Sequence, residues 1–152
     1  MAIIEHAGYY EDPMSGVSHE HFCCELMYIT EGELDITAKE TYHIYANDLV
    51  LIKSSQHHRV RVTTSAEYHR YIVMINPWEL RNQLVRPDLF AMLTDTSKEG
   101  IIIVRNDPEL RSGFDKMTDI FSIDQTAPII NVEFDSPAGN DAYYRENRTA
   151  TI

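Results

Sequence analysis

The sequence predicts a mainly β chain, an antiparallel sandwich or barrel followed by helices. Between residues 3 and 75, short stretches of alternating polar and apolar residues follow one another with brief turns between them. Period two is the mark of a half-buried strand. At Asn76 the apolar spacing lengthens to that of a helix. A chain of 152 residues fits most economically into one domain.

Residues 16–32, Gly-Val-Ser-His-Glu-His-Phe-Cys-Cys-Glu-Leu-Met-Tyr-Ile-Thr-Glu-Gly, organise the rest. Read as one strand from about residue 19 to about residue 30, this stretch alternates its faces. His19, His21, Cys23, Glu25, Met27 and Ile29 then share one face, and Phe22, Cys24, Leu26 and Tyr28 share the other. Both faces are covered, yet one holds two imidazoles and a carboxylate. Such groups are buried only when paired, liganded or hydrated. This face is expected to line a cavity.

The remaining elements follow in order. Residues 3–15 form an arm with strand propensity near its start. Glu31-Gly32 reads as a hairpin turn into Glu33–Thr37, and Ala38-Lys39-Glu40 joins that strand to Thr41–Tyr45. Ala46-Asn47-Asp48 makes the next turn. The apolar run Leu49–Ile52 is short enough for a strand buried on both faces. Lys53–Gln56 is a polar loop into a strand His57–Val62, and Thr63-Thr64-Ser65 turns into a strand Tyr68–Ile75. Asn76 as N-cap, Pro77 at the first helical position and Glu79 in the first turn predict a helix over 77–84. Arg86-Pro87-Asp88 breaks it, with a further turn or two over Leu89–Leu93. Ile101–Val104 is a strand. Asp107-Pro108 opens a helix over about 108–122, with Leu110, Phe114, Met117 and Phe121 at helical spacing. That stripe suits packing on the barrel and a dimer seam equally. Residues 128–134 have the composition of a strand, and 136–152 are polar and unpatterned. The domain is therefore placed at 1–122 and a tail at 123–152.

Composition narrows the partners. With 43% apolar residues the chain can build a core, and its formal charge is −11. Such a chain repels phosphate backbones, so it is not expected to bind DNA by itself. No apolar stretch approaches the ~20 residues of a membrane-spanning helix. The two cysteines, Cys23 and Cys24, are neighbours, a poor disulfide geometry on a strand. They are expected to be small buried hydrophobes in a reducing cytoplasm.

The spacing of His19, His21, Glu25 and Gly32 resembles the first cupin motif, and Asn47-Asp48-Leu-Val-Leu-Ile52-Lys-Ser-Ser-Gln-His-His58 is similar to the second. The usual spacing lands on His58 rather than His57, which is left as a spare, exposed residue. The resemblance implies a cupin-like antiparallel β-barrel (jelly roll) that brings His19, His21, Glu25 and His58 together. Three imidazoles and one carboxylate suit a divalent transition metal such as Zn, Ni, Mn or Fe. Here Lys53, Ser54 and Ser55 replace the usual Pro and Gly, and Asn47 replaces Gly. His6, His43 and His69 read as lone surface or strand-face residues.

A narrower resemblance covers residues 5–122. Cys24-Glu-Leu-Met-Tyr-Ile-Thr-Glu-Gly32, Tyr42–Ile52 and Tyr68-His-Arg-Tyr-Ile-Val-Met-Ile-Asn-Pro77 resemble the N-terminal sensor domain of AraC-family transcription regulators. The resemblance implies a barrel that binds a small-molecule effector, for which a carbohydrate is the family's commonest suggestion, and flanking helices that form a homodimer. It implies no required cofactor and no enzymatic activity. His19, His21, Glu25 and His58, with Met27 and Cys23, are the expected effector-contacting residues. Nothing after Ser122 resembles the family's helix-turn-helix pair. The alternative is a metal-dependent cupin enzyme of dioxygenase or sugar-isomerase type, although no second carboxylate stands near the cluster as an acid or base.

Overall fold

The computed structural model describes residues 3–12, 16–63, 67–81, 86–97 and 99–125, with the pairs 133–134 and 150–151. The strands β1 (Ile4–Tyr10), β2 (Cys24–Glu31), β3 (Leu34–Thr37), β4 (Thr41–Ile44), β5 (Leu49–Ile52), β6 (Arg59–Val62) and β7 (His69–Ile75) come first. Helices α1 (Pro77–Arg81) and α2 (Pro87–Thr94), strand β8 (Ile101–Val104) and helix α3 (Leu110–Gln125) follow. Among the described residues, one antiparallel sheet runs β1-β7-β2-β5-β8 and another runs β4-β3-β6. Two facing antiparallel sheets make this a mainly β, jelly-roll fold.

The chain switches sheets at its tight turns. Gly32, with φ 87°, takes the left-handed backbone that glycine adopts at no steric penalty. Contrary to the hairpin expected at Glu31-Gly32, it joins strands of different sheets, since β2 pairs with β7 and β5 while β3 pairs with β4 and β6. The turn carries the chain from one sheet to the other. Asn47, φ 68°, returns it from β4 to β5, doing what glycine does in the motif it resembles. Buried Asp48 fixes this corner by accepting hydrogen bonds from the Tyr45 amide (3.0 Å), the Arg105 guanidinium (2.6 Å) and the Asn106 amide (2.9 Å).

Alternation along β2 sorts the core as expected. Met27 and Ile29 face inward, with Leu34, Ile36, Ile44, Val50, Ile52, Val60 and Ile72. Each fully buried aliphatic side chain of this kind contributes about 1.5–3 kcal/mol over leaving it exposed. Tyr28 faces outward, beneath α3, with Ala7, Tyr71, Val73 and Phe114. Cys24, on the same outer face, packs with Leu51 and Leu93 of α2. Asn76 caps α1: its Oδ1 accepts from the amides of Trp78 (3.1 Å) and Glu79 (3.3 Å). Separate helices flank the expected break, and Pro87 is the first residue of α2, a position that lacks an intrahelical partner for its nitrogen anyway. Residues 82–84 of the expected first helix and the 64–65 turn lie outside the described residues.

The α3 stripe packs on the five-stranded sheet. Phe114 is 4% exposed, and Leu110, Met117 and Phe121 pack against the Tyr28–Tyr71–Val73 cluster. The five-stranded sheet covers Phe114 fully and leaves Leu110, Met117 and Phe121 half-buried at its outer face.

The chain divides into units Met1–Ser122 and Ile123–Ile152. In the second, Glu133–Phe134 (β9) pairs antiparallel with Ala150–Thr151 (β10). The rest of the expected strand at 128–134 lies outside the described residues.

Candidate functional site

His19 and His21 do not belong to β2, which begins only at Cys24. They sit on the loop leading into it. That loop is pinned to the start of β6 by an isolated antiparallel bridge: His19 N–H donates to the His58 carbonyl and His58 N–H to the His19 carbonyl, each at 2.9 Å. Further along, Ser55 N–H donates to the His21 carbonyl at 2.8 Å and the Ser54 hydroxyl donates to the Phe22 carbonyl. Ser54 and Ser55, which depart from the usual Pro/Gly turn, thus support the histidine loop. Ser55 has φ 60°, taking up the bend where the motif usually has glycine.

The cluster nevertheless assembles. Ligand atoms of His19, His21 and His58 all lie within 4.8 Å of one another. Glu25 Oε2 lies 2.9 Å from His21 Nε2 and 3.7 Å from His58 Nε2. Every ring is oriented through Nδ1 on a backbone carbonyl: His19 on Val17 (3.0 Å), His21 on Cys23 (2.7 Å), His58 on Gln56 (2.8 Å). A carbonyl only accepts, so each Nδ1 carries hydrogen and directs its ring. Backbone anchoring of this kind orients metal-ligating and proton-exchanging imidazoles.

Electrostatics differ between the rings. His21 faces acceptors at both nitrogens, and its pKa is raised above the ordinary value, chiefly by the Glu25 hydrogen bond, with burial opposing. The hydrogen bond to Glu25 thus favours the charged form of this ring. His58 is fully buried, and burial pushes its pKa down. Its Nε2 has no hydrogen-bond partner. A neutral ring with a buried, unpartnered lone pair facing a carboxylate fits a site for a cation or a hydrogen-bond donor. His19, His21 and His58 are the residues whose ligand atoms come close enough to hold a divalent transition metal, and Glu25, the fourth expected ligand, stands beside His21 and His58.

The other two expected residues stand apart from this set. Cys23 supplies its carbonyl to His21 rather than its thiol. Met27 is buried in the core, and its sulfur accepts from the Tyr68 hydroxyl at 3.7 Å. Cys24 donates its thiol to the Leu93 carbonyl, and burial pushes its pKa up to about 11. His57 is exposed and meets Ser18. Gln56 was missed by the sequence reading: it orients His58 through its carbonyl, and its side chain is 8% exposed. The available signal was a polar residue just before the His-His pair. A second group, Glu31, Glu67 and His69, gathers on the surface, with His69 Nδ1 3.1 Å from Glu31 Oε2.

Two cavities are described. One, about 190 Å³, lies between the β3–β4 turn and the residues entering β8. The other, about 290 Å³, is lined by Arg81, Arg86, Pro87 and Phe90. Neither is lined by the histidine cluster, so the expected cavity on the Glu25 face is not among them.

Comparison with known proteins places this geometry. The sequence model of the AraC-like ligand binding domain matches residues 5–129. No curated protein matches the chain. Among solved structures the chain is similar to ToxT from Vibrio cholerae. The form bound to (E)-4-(8-methylnaphthalen-1-yl)but-3-enoic acid has a TM-score of 0.55 at 10% identity, covering 76% of this chain and 48% of that one. The unsaturated fatty acid-bound wild type has a TM-score of 0.54 at 15% identity, covering 80% and 48%. An apo form has a TM-score of 0.51 at 15% identity, covering 75% and 46%. The chain thus spans about half the length of these relatives. At such identities the likeness shows the fold.

Proposed function

The chain belongs to the AraC-like ligand-binding domain family, and on that premise we propose that it senses a small-molecule effector for a transcription regulator through the His19–His21–Glu25–His58 cluster. One observation carries the assignment to these residues. Three imidazoles, each locked by its Nδ1, gather with their ligand atoms within 4.8 Å of one another, two of them turn Nε2 towards Glu25, and the buried His58 Nε2 is left without a hydrogen-bond partner. An effector hydroxyl satisfies that lone pair. Glu25, already paired with His21, has further carboxylate lone pairs with which to accept from a second hydroxyl.

A hydroxyl-rich effector of the carbohydrate class is favoured by this polar centre, with its carboxylate and its unpartnered imidazole nitrogen. The ToxT structures with bound acids make a fatty acid the competing class. The domain acts as a homodimer and does not itself bind duplex DNA, its charge of −11 opposing this. Among the described residues no helix is long and apolar enough to cross a membrane.

The same donor set supports a second reading, a metal-dependent cupin. A bound Fe, Mn, Ni or Zn ion would supply a Lewis-acidic centre for a substrate oxygen. The protein's part would be to orient the rings through their backbone anchors and to place Glu25 beside them. One comparison separates the readings: metal content and calorimetric affinity for monosaccharides and unsaturated fatty acids, measured on wild type, His19→Ala, His21→Ala, His58→Ala and Glu25→Gln. Metal-free wild type whose sugar affinity falls in these variants supports direct sensing. Stoichiometric metal lost from the histidine variants supports the metal reading. Unchanged sugar or fatty-acid affinity in all four variants removes the cluster from effector binding.

A further inference from the structure

The cavity of about 190 Å³ between the β3–β4 turn and β8 is separate from the histidine cluster and has its own chemistry. Its polar lining is Lys39, Glu40, Tyr42, Gln56 and Glu99, with Ile101 beneath. Gln56 is the built part. It is 8% exposed, and its Nε2 donates to the His57 carbonyl at 2.7 Å. Because a carbonyl cannot donate, this contact fixes which end of the amide is which. The oxygen, Oε1, is left to accept, and no described residue donates to it.

Gly100 makes room for that oxygen. A Cβ there would lie 1.6 Å from Gln56 Oε1 and 2.3 Å from Cδ. The glycine backbone cannot easily retreat, because its carbonyl accepts from the Lys53 amide at 2.9 Å. Opposite stands Glu99, whose Oε1 accepts from the Tyr42 hydroxyl at 3.4 Å and retains further lone pairs. Glu40 adds a second carboxylate against the single cation of Lys39.

We propose that this cavity is a binding site for a small primary amine, whose ammonium group is held by Gln56 Oε1 and Glu99 while its short stem lies on Tyr42 and Ile101. The lining offers acceptors in excess and a net negative charge, so it disfavours an anion and leaves carboxylates unpaired against a neutral polyol. An ammonium group supplies three donors to match. The site goes beyond effector sensing by the histidine cluster and does not depend on it.

The test uses the full chain, with ethanolamine and putrescine as probes and acetate and glucose as comparators, followed by ¹H–¹⁵N spectra. Both amines should shift the Gln56 side-chain amide and the Gly100 amide saturably, and acetate and glucose should not. Glu99→Gln, an exposed change that leaves the core alone, should raise the dissociation constant at least about tenfold. Gln56→Leu and Gly100→Ala should abolish the shifts in protein whose melting still shows a folded barrel. Absence of saturable shifts with either amine would overturn the proposal, as would equal binding of glucose or wild-type affinity in Glu99→Gln. The sugar affinities of the histidine variants, measured separately, decide the effector reading whichever way this result falls.

Discussion

His19 and His58 exchange both of their backbone hydrogen bonds, 2.9 Å in each direction, although neither lies within one of the main strands. This single bridge fastens the loop that carries two imidazoles to the edge that carries the third. It also buries the His58 ring, with Nδ1 satisfied by Gln56 and Nε2 by nothing. An unsatisfied buried polar atom costs about 1–3 kcal/mol, while the Nδ1 hydrogen bond returns only about 0.5–1.5 kcal/mol. His58→Leu is therefore expected to change metal-free stability by less than about 2 kcal/mol in urea unfolding. Nickel at a hundred times its dissociation constant should stabilise wild type by about 2.7 kcal/mol and this variant not at all. A large metal-free loss would show that the ring is structural.

Glu25 makes stability depend on pH through His21. The hydrogen bond to Glu25 raises the folded-state pKa of His21 above the unfolded value of 6.5. A raised histidine pKa contributes stability that is fully present below that unfolded value and is lost as pH rises through the folded value. Urea midpoints of wild type are thus expected to fall from about pH 6 to about pH 8, and those of Glu25→Gln to vary less. Parallel profiles would mean that the pair is not formed in solution.

Much of this arrangement was legible because it is periodic. Met27 and Ile29 inward, and Cys24 and Tyr28 outward, follow from alternation alone. The spacing of His19, His21, Glu25 and His58 indicated a cluster, but the wrong geometry was read from it. Alternation carried back through Cys23 reaches His19, whereas the strand begins at Cys24. What brings the histidines together is long-range pairing with His58, and local pattern carries no trace of it. Gly32 shows the same limit. Its left-handed backbone was foreseeable, but which sheet the next strand joins is decided by partners thirty residues away, Val60 and Val62 among them. Gln56 escaped notice because its contribution is made by a backbone carbonyl, which every residue has.

Asp35 should govern acid stability. It sits on the central strand β3 between His43 of β4 and Arg61 of β6, with Arg61 Nη2 at 2.7 Å and His43 Nδ1 at 2.5 Å. The Arg61 hydrogen bond, aided by His43, holds its carboxyl below the ordinary carboxylate value of 3.8. A depressed carboxylate pKa contributes stability that is present above the unfolded value and is lost as pH falls through the folded one. Asp35→Asn should therefore be less stable than wild type near neutrality, with the gap closing below about pH 3.5. A gap that persists unchanged in acid would assign the effect to packing.

Phe114 tests what α3 is for. Its ring stacks on Tyr28 with centroids 5.2 Å apart and planes at 10°, and it meets Tyr71 at 5.9 Å. Phe114, in the stripe that helical spacing offers as packing or as a dimer seam, is thus part of the core, and Phe114→Ala should destabilise the fold by about 3–5 kcal/mol. Ile120, on the same helix, is 67% exposed. Ile120→Asp should leave the urea midpoint within about 0.5 kcal/mol of wild type. Association should separate the two residues in the opposite sense. Sedimentation at a concentration where both variants remain folded should find Phe114→Ala associated like wild type. If the homodimer forms across the outer face of α3, Ile120→Asp should weaken it at least about tenfold. A folded Phe114→Ala that sediments as a monomer beside dimeric wild type would return the seam to the buried stripe, against the packing seen on Tyr28.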